Sequence, residues 1–259
     1  KTSRQPASSG LLPGHLEDIN RLSRASLSAE EVYVFSLCLC DNEVDRDQER
    51  FPEKTLEQLA PLFVGKSGLF DHSWSARGQA ARLYRTEVVR EPERLTQAGD
   101  GYCWLKGWAY MVRTPDNQGL IAEIEGGIKK EVSVGCAVKR AVCSICSTER
   151  GQDCGHKPGE VYDGARCFFQ LEEAVDAYEF SFVAVPAQPG AGVVKGLCPA
   201  GEPAQTLREL AAGRDLCIRE LDGLEREAAL GRKWLFTLRE EVVRMGALAD
   251  SGLDRTVLK

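Results

Sequence analysis

The sequence predicts an α+β protein with a β-rich, barrel-like core, peripheral helices, a polar loop insertion and a C-terminal helical extension. Three observations lead to this fold class. Short apolar segments rich in β-branched and aromatic residues recur between residues 31 and 195, separated by Gly- and Pro-containing stretches. Residues 143–160 interrupt that pattern with mostly polar residues. In residues 205–248, apolar side chains recur at helical spacing.

The domain boundaries follow from the same changes in composition. Residues 1–30 are rich in Ser, Pro, Gly and Arg, so we expect a flexible or loosely docked N-terminal arm with a short helix near Leu16 to Leu22. The core domain is predicted at 31–195 and contains the loop 143–160. Residues 196–203 have the composition of a linker. Residues 196–259 are therefore predicted to be a linker followed by the helical extension.

The elements of the core can be predicted in chain order. Residues 31–40 are nearly all apolar, which suits a strand buried on both faces or in a closed barrel, with Cys38 and Cys40 as small core residues. Residues 52–63 begin with Pro and place leucines on one side, as in an amphipathic helix. The remaining predictions are strands at 69–73, 81–89, 102–111, 130–139, 165–171 and 177–185, and a short helix that opens at Thr114-Pro115 and ends at Gly126-Gly127.

Composition excludes several classes of function. The chain has 259 residues, of which 43% are hydrophobic and 28% charged, as in ordinary globular proteins. Its net charge of −6 argues against a general nucleic-acid binder, which needs a concentrated basic face. The sequence contains no apolar run of the roughly 18 to 20 residues that span a bilayer, and no secretory signal at its start. We expect a soluble intracellular protein that binds neither nucleic acid nor membrane.

Ser133 is the first candidate for chemistry. It follows Val132 and precedes Val134 and Gly135 in a short apolar run. Alternation along a strand places Ser133 and Gly135 on the face opposite the two valines. Gly135 would let another backbone or a substrate approach closely. The competing interpretation is an ordinary hydrogen-bonded surface serine.

His72 is the candidate base for such a nucleophile, because the serine proton must leave as the oxygen attacks. The chain has three histidines. His15 lies in the predicted arm and His156 in the cysteine-containing loop, which leaves His72. The alternative is a histidine at a strand end that only binds a neighbouring carbonyl.

Three blocks of sequence occur in a fixed order: FDHSW from Phe70, KEVSVG from Lys130, and YEFSFVAVPA from Tyr178. Together they resemble the prohead, or capsid-maturation, serine proteases of tailed bacteriophages, whose core fold is related to the herpesvirus assemblin proteases. The resemblance covers roughly residues 31–195. It implies a barrel-like protease core. It also implies a serine endopeptidase that cleaves capsid and scaffold proteins, and itself, inside assembling phage proheads in the host cytoplasm.

Glu179 is the preferred third member of the catalytic group. In the assemblin relatives this position is a second histidine, whereas phage members are thought to use an acid, and this chain has no spare histidine. Alternation places Glu179 and Ser181 opposite Phe180 and Phe182, so a charged Glu179 needs a partner. Asp176 is the second candidate. The alternative for Glu179 is a structural ion pair.

A metal site is predicted in the loop 143–160. Cys143, Cys146, Cys154 and His156 form the pattern C-x2-C-x7-C-x-H in a stretch with no hydrophobic core of its own. Structural Zn2+ with three thiolates and one imidazole would order such a loop. The alternatives are a redox C-x-x-C pair and free surface cysteines. We expect the loop to be inserted after the Ser133 strand and to reach over the substrate cleft.

The helical extension carries eight basic and eight acidic residues between 205 and 248. Such a balance suits packing on the core, self-association as a homo-oligomer, or docking to a scaffold or capsid component. Two rivals to the endopeptidase remain. One is a zinc-stabilised capsid assembly or scaffolding protein without catalysis, and the other is a soluble hydrolase of another substrate class.

Overall fold

The computed structural model describes residues 14–194 and five residues further on, Leu230, Gly231, Trp234, Thr237 and Leu238, all of which are helical. The chain divides into two compact units, Lys1–Pro199 and Ala200–Lys259. Apart from those five residues, the predicted linker and helical extension lie outside the described part of the chain. No helix among the described residues is long and apolar enough to cross a membrane.

Within residues 14–194, the first unit is mainly a β-sheet with three α-helices. The helices are α1 (His15–Leu22), α2 (Glu53–Phe63) and α3 (Gln118–Glu125). The strands are β1 (Val32–Asp41), β2 (Glu49–Arg50), β3 (Ser67–Phe70), β4 (Ala81–Leu95), β5 (Gly101–Val112), β6 (Val132–Cys143), β7 (Val161–Tyr162), β8 (Ala165–Arg166), β9 (Phe169–Phe182) and β10 (Gly192–Val193). The fold is therefore α+β, as predicted.

The main sheet has eight strands, and β9 is its most connected member. The order along the sheet is β10-β1-β5-β4-β3-β9-β2, and β6 also pairs with β9. β2 and β3 run parallel to β9, whereas β6 runs antiparallel to it. β7 and β8 form a separate small hairpin. This arrangement brings β3, β6 and β9 side by side.

The sheet does not close into a barrel, which corrects the barrel-like core expected from the sequence. β10 pairs with β1 over only two residue pairs. Its contact with the segment before β6 is the isolated bridge between Glu131 and Gly192, supported by the hydrogen bond from Val193 N to Lys130 O at 2.6 Å. A single bridge does not make a continuous ladder, so the sheet is strongly curved but open.

β9 is one strand where the sequence predicts two, at 165–171 and 177–185. The acidic stretch Glu172-Glu173 resembles a loop in composition, yet it stays in the ladder with β6. The register with β6 shifts twice, leaving Val175 and Tyr178 as unpaired extra residues. Each is a β-bulge, which strengthens the local twist and changes the direction of a side chain.

The hydrophobic core lies between the curved sheet and α2. Its fully buried side chains include Leu37, Leu56, Phe63 and Phe180. The predicted alternation on β6 is present, because Val132 is fully buried in this core while Ser133 is not part of it. Burial of one Leu or Phe side chain stabilises a fold by about 1.5 to 3 kcal/mol, so this core holds the sheet that positions the site.

Of the two predicted forms of the N-terminal arm, flexible or loosely docked, residues 14–30 adopt a docked one. The helix expected near Leu16 is present as α1, and its His15 and Ile19 are buried. Nδ1 of His15 lies 2.6 Å from the hydroxyl of Tyr84 on β4. Asp18 binds Arg85 of the same strand. The helix is therefore docked on the sheet by both apolar and polar contacts.

Candidate active site and candidate metal centre

β9 lies between β3 and β6 and brings their side chains to one face of the sheet. Ser133 of β6 stands directly opposite Ser181 of β9, and Gly135 stands opposite Glu179. On the other side of β9, Leu69 of β3 pairs with Ser181. Paired residues in neighbouring strands point the same way, so these side chains share the face opposite the core.

His72 follows β3, which ends at Phe70 rather than at residue 73 as predicted. Asp71 and His72 both have positive φ angles, of 51° and 52°. Such left-handed backbone is strained for residues other than glycine. Two hydrogen bonds to β9 hold the turn: Asp71 N donates to Phe182 O at 3.0 Å, and His72 N donates to Ser181 Oγ at 3.1 Å. The turn directs the imidazole towards Glu179.

The Glu179 carboxylate is held at both oxygens. Oε1 lies 2.8 Å from Nδ1 of His72, and Oε2 accepts a hydrogen bond from the Ser181 hydroxyl at 2.6 Å. Glu179 is only 2% exposed. A buried carboxylate with two such partners can orient an imidazole and stabilise its charged form. Asp176, the second candidate, instead pairs with Lys66 at 3.2 Å.

Gly135 has a different steric role from the one expected. A Cβ atom at this position would lie 2.6 Å from Oε1 of Glu179, so only glycine leaves room for the carboxylate. The sequence suggested an approach by substrate or another backbone. The group that approaches most closely is the side chain of the candidate third catalytic residue.

Ser133 and His72 line the same open cavity, of about 590 Å³. Among the residues that the structure describes, no hydrogen bond joins the two side chains, and His72 is joined only to Glu179 and Ser181. Ser133 and His72 are both neighbours of Ser181. Ser133 pairs with Ser181 across β6 and β9, and the Ser181 hydroxyl accepts a hydrogen bond from the backbone N–H of His72. Catalytic hydrogen bonds are often long or unformed without substrate.

Part of the cavity wall comes from the segment after β9, with Val185, Pro186, Ala187, Gln188 and Ala191, and this segment is hydrogen-bonded to β1. The side-chain amide of Gln188 makes two hydrogen bonds with the backbone of Asp41, accepting from its N–H at 2.7 Å and donating to its carbonyl at 2.9 Å. Arg46 N also donates to Ala187 O at 3.1 Å. Neither Gln188 nor Ser181 is among the site residues predicted from the sequence.

Cys143, Cys146, Cys154 and His156 come together, as predicted, into a cluster that could bind a metal ion. Their ligand atoms all lie within 4.8 Å of one another. The Cys146 and Cys154 sulfurs are 3.4 Å apart, and Nδ1 of His156 lies 3.3 Å from the Cys146 sulfur. Ligands of a tetrahedral zinc site with bonds near 2.3 Å are separated by about 3.8 Å. The donor set is therefore compatible with zinc.

Two further observations concern this cluster. Hydrogen bonding to Thr148 lowers the pKa of the Cys146 thiol to about 6, which favours the thiolate that a metal requires. The Cys167 sulfur, which is not among the predicted ligands, lies 3.7 Å from the Cys143 sulfur. None of the residues 143–160 lines the cavity at Ser133. The expected reach of this loop over the cleft is therefore not seen in the described structure.

We compared the chain with protein-family models, with curated proteins and with solved structures, and none of them matches it.

Proposed function

We propose that the protein is a serine endopeptidase with Ser133 as nucleophile, His72 as general base and Glu179 as the third member. The observation that carries the proposal is the 2.8 Å contact between His72 Nδ1 and the buried Glu179, next to a strand pair that sets Ser133 opposite Ser181. A base oriented by an acid supports nucleophilic catalysis by serine, and the Ser133 hydroxyl lines the same cavity as that base.

In the proposed reaction, Nε2 of His72 takes the proton from Ser133 as its oxygen bonds to a peptide carbonyl carbon. Glu179 stabilises the imidazolium that forms. His72 then gives the proton to the nitrogen of the leaving amine as the peptide bond breaks. Water, activated by the same imidazole, releases the acyl group and restores the Ser133 hydroxyl.

The edge of β6 that does not pair with β9 favours a polypeptide as the substrate. Within the described residues β6 pairs along its length only with β9. Its other edge is bridged only at the ends, by Glu131 with Gly192 and by Val142 with Glu149. Between these bridges, residues 133–136 line the open cavity. An extended peptide can add to such an edge by backbone hydrogen bonds, which would bring its carbonyl groups to Ser133.

The substrates we propose are capsid and scaffold proteins of a tailed phage, and the protease itself, inside the assembling prohead. This part rests on the resemblance of the three sequence blocks alone. We further propose that the cysteine cluster holds one structural Zn2+. Three cysteines and one histidine fill four positions and leave none for a reactive water, which is typical of structural sites.

Labelling with a fluorophosphonate tests the proposal. The wild-type protein should become covalently labelled at Ser133, and Ser133→Ala should lose the label. Ser26→Ala is a matched control, since Ser26 is an exposed serine far along the chain from the site. Peptide mapping that finds the label elsewhere, or an unlabelled wild-type protein, would refute the endopeptidase.

A non-catalytic assembly or scaffolding protein is the second candidate. The observation in its favour is that no hydrogen bond joins Ser133 to His72 in the described structure. It predicts an unlabelled but folded protein that still binds capsid or scaffold proteins. The same experiment with added capsid protein therefore separates the two functions.

A further inference from the structure

A second cavity, of about 390 Å³, lies beside the His72 turn. Its walls include Leu69 of β3, Trp74 and Gln79 of the segment after His72, and Tyr178 and Glu179 of β9. Ser133 and His72 do not line it, whereas Glu179 does not line the larger cavity. Glu179, whose carboxylate binds His72, thus belongs to the wall of this second cavity.

Two aromatic side chains face solvent at this cavity. Trp74 is 73% exposed and Tyr178 is 42% exposed, and their ring centroids are 5.4 Å apart with 57° between the planes. The bulge at position 178 explains the exposure of the tyrosine, because Glu179 and Ala177 pair with successive residues of β6 and leave Tyr178 out of the ladder. Exposed aromatic pairs beside a polar site are typical of ligand-binding surfaces.

The cavity contains no unpaired charge. Lys66 and Glu179 are the charged residues that line it. Lys66 pairs with Asp176 at 3.2 Å, and Glu179 is satisfied by His72 and Ser181. A charged side chain entering this space would lose water without gaining an opposite charge, whereas an apolar or aromatic one would gain contact with Leu69, Trp74 and Tyr178.

The position of His72 decides which end of a substrate would reach this cavity. A histidine that takes the serine proton must later give it to the leaving amine, so it stands on the leaving-group side of the bond that breaks. The second cavity adjoins the His72–Glu179 pair, as Glu179 belongs to its wall and Trp74 follows His72 by two residues, whereas Ser133 does not line it. We therefore assign it to substrate residues that follow the scissile bond.

We propose that the Trp74–Tyr178 cavity is a subsite that selects substrates with an apolar or aromatic side chain shortly after the scissile bond. The proposal rests on the endopeptidase function above. It names a substrate class that the three sequence blocks do not specify.

Cleavage of a random peptide library tests the subsite, with mass spectrometry reading the new amino termini. Wild-type protein should enrich apolar and aromatic residues at one position after the cut, and Trp74→Ala and Tyr178→Ala should abolish that enrichment. For a peptide with Phe at that position, kcat/KM should fall about tenfold in either variant. Fluorophosphonate labelling of the same variants separates two effects: a larger loss for cleavage of the Phe peptide than for labelling assigns the loss to the cavity and not to Ser133.

Trp104→Ala is the matched control. Trp104 is a tryptophan of β5 whose indole N–H donates to Glu91 at 3.2 Å, and it lines neither cavity. An unchanged preference in Trp74→Ala, or enrichment of charged residues at that position in the wild type, would overturn the subsite.

A binding measurement keeps this inference separable from the protease itself. Phenylalaninamide mimics the amino end of the released product, and NMR titration of the Ser133→Ala protein should shift the Trp74 indole and Tyr178 ring resonances. Lysinamide at the same concentration should not. If the wild-type protein is neither labelled nor able to cleave peptides, the proposed function fails. If the two amides cause equal shifts, or no shifts, the subsite is refuted whether or not the protein is a protease.

Discussion

Gly135 and Glu179 stand opposite each other on β6 and β9, so closely that a methyl group on the glycine would lie 2.6 Å from the carboxylate oxygen that binds His72. Glu179 cannot move aside freely, because it is buried and its second oxygen is bound to Ser181. The absent side chain at position 135 is therefore a condition for the contact between His72 and Glu179.

Gly135→Ala should displace the Glu179 carboxylate and break its contact with His72. We expect the rate of fluorophosphonate labelling to fall about 100-fold, since a misplacement of about 1 Å in a catalytic group has effects of that size. Stability should fall by about 1 to 3 kcal/mol from overpacking, measured by urea unfolding. Gly119→Ala in α3 is the control, because a Cβ there meets nothing within 4 Å. Wild-type labelling by Gly135→Ala would contradict this role.

Ser181→Ala should leave Oε2 of Glu179 buried without a donor. Loss of a partner by a buried polar group costs about 1 to 3 kcal/mol, which urea unfolding would measure. The Nδ1–H proton of His72, visible by NMR when it is protected by Glu179, should broaden or disappear. Ser36→Ala on β1 should change neither quantity, because the Ser36 hydroxyl has no hydrogen-bond partner among the described residues. A sharp, unshifted His72 signal in Ser181→Ala would show that the hydroxyl is dispensable.

Removal of the metal should loosen residues 143–160 and leave the sheet folded, because the hydrophobic core lies elsewhere. Protein purified without chelators should contain about one zinc per chain. Cys146→Ser should lose it and Cys38→Ala should keep it, as Cys38 is a buried residue of β1 outside the cluster. Hydrogen exchange should then increase only in the loop. Absence of zinc from the wild type would rule out the site.

Docking of α1 should weaken in mild acid. Burial lowers the pKa of His15 below its ordinary value of 6.5. The positive charges of Arg85 and Lys106 also lower this pKa, whereas the negative charge of Asp18 acts in the opposite direction. The unfolded chain therefore takes up this proton at higher pH than the folded chain. The contribution of His15 to stability is present above about pH 6.5 and is lost as the pH falls.

Urea unfolding at pH 7.5 and pH 5.5 would measure this effect. Wild-type protein should lose more stability between the two values than His15→Gln, which cannot titrate. Tyr84→Phe removes the hydrogen bond to His15 but keeps the titrating ring, so it should retain the pH dependence. Equal losses of stability in the wild type and in His15→Gln would show that His15 does not cause the pH dependence of stability.

Local sequence patterns predicted the parts of the site that depend on one strand or one loop. Alternation of apolar and polar residues placed Ser133 and Glu179 on their correct faces, and ligand spacing brought the metal cluster together. Elimination among three histidines selected His72, which does contact Glu179. Such signals lie within short segments, so they can be read without knowledge of the fold.

Features that depend on distant pairing could not be predicted in this way. The steric role of Gly135 requires knowing that Glu179 is its partner on β9. The role of Ser181 requires the turn at His72 to lie beside it. The bulges at Val175 and Tyr178 break the two-residue period, which made β9 resemble two strands. The open sheet likewise depends on how β10 meets the segment before β6.

The pairing of β6 with β9 has a consequence for the order of folding. The cluster of cysteines and His156 lies at the connected end of this hairpin, where Cys143 pairs with Phe169, while Ser133 and Ser181 pair near the open end. Pairing Cys143 with Phe169 closes a shorter stretch of chain than pairing Ser133 with Ser181, so it costs less chain entropy. Pairing should therefore begin beside the cysteines and proceed towards the serines. A nascent chain would thus acquire its sulfur cluster before Ser133 is aligned with Ser181.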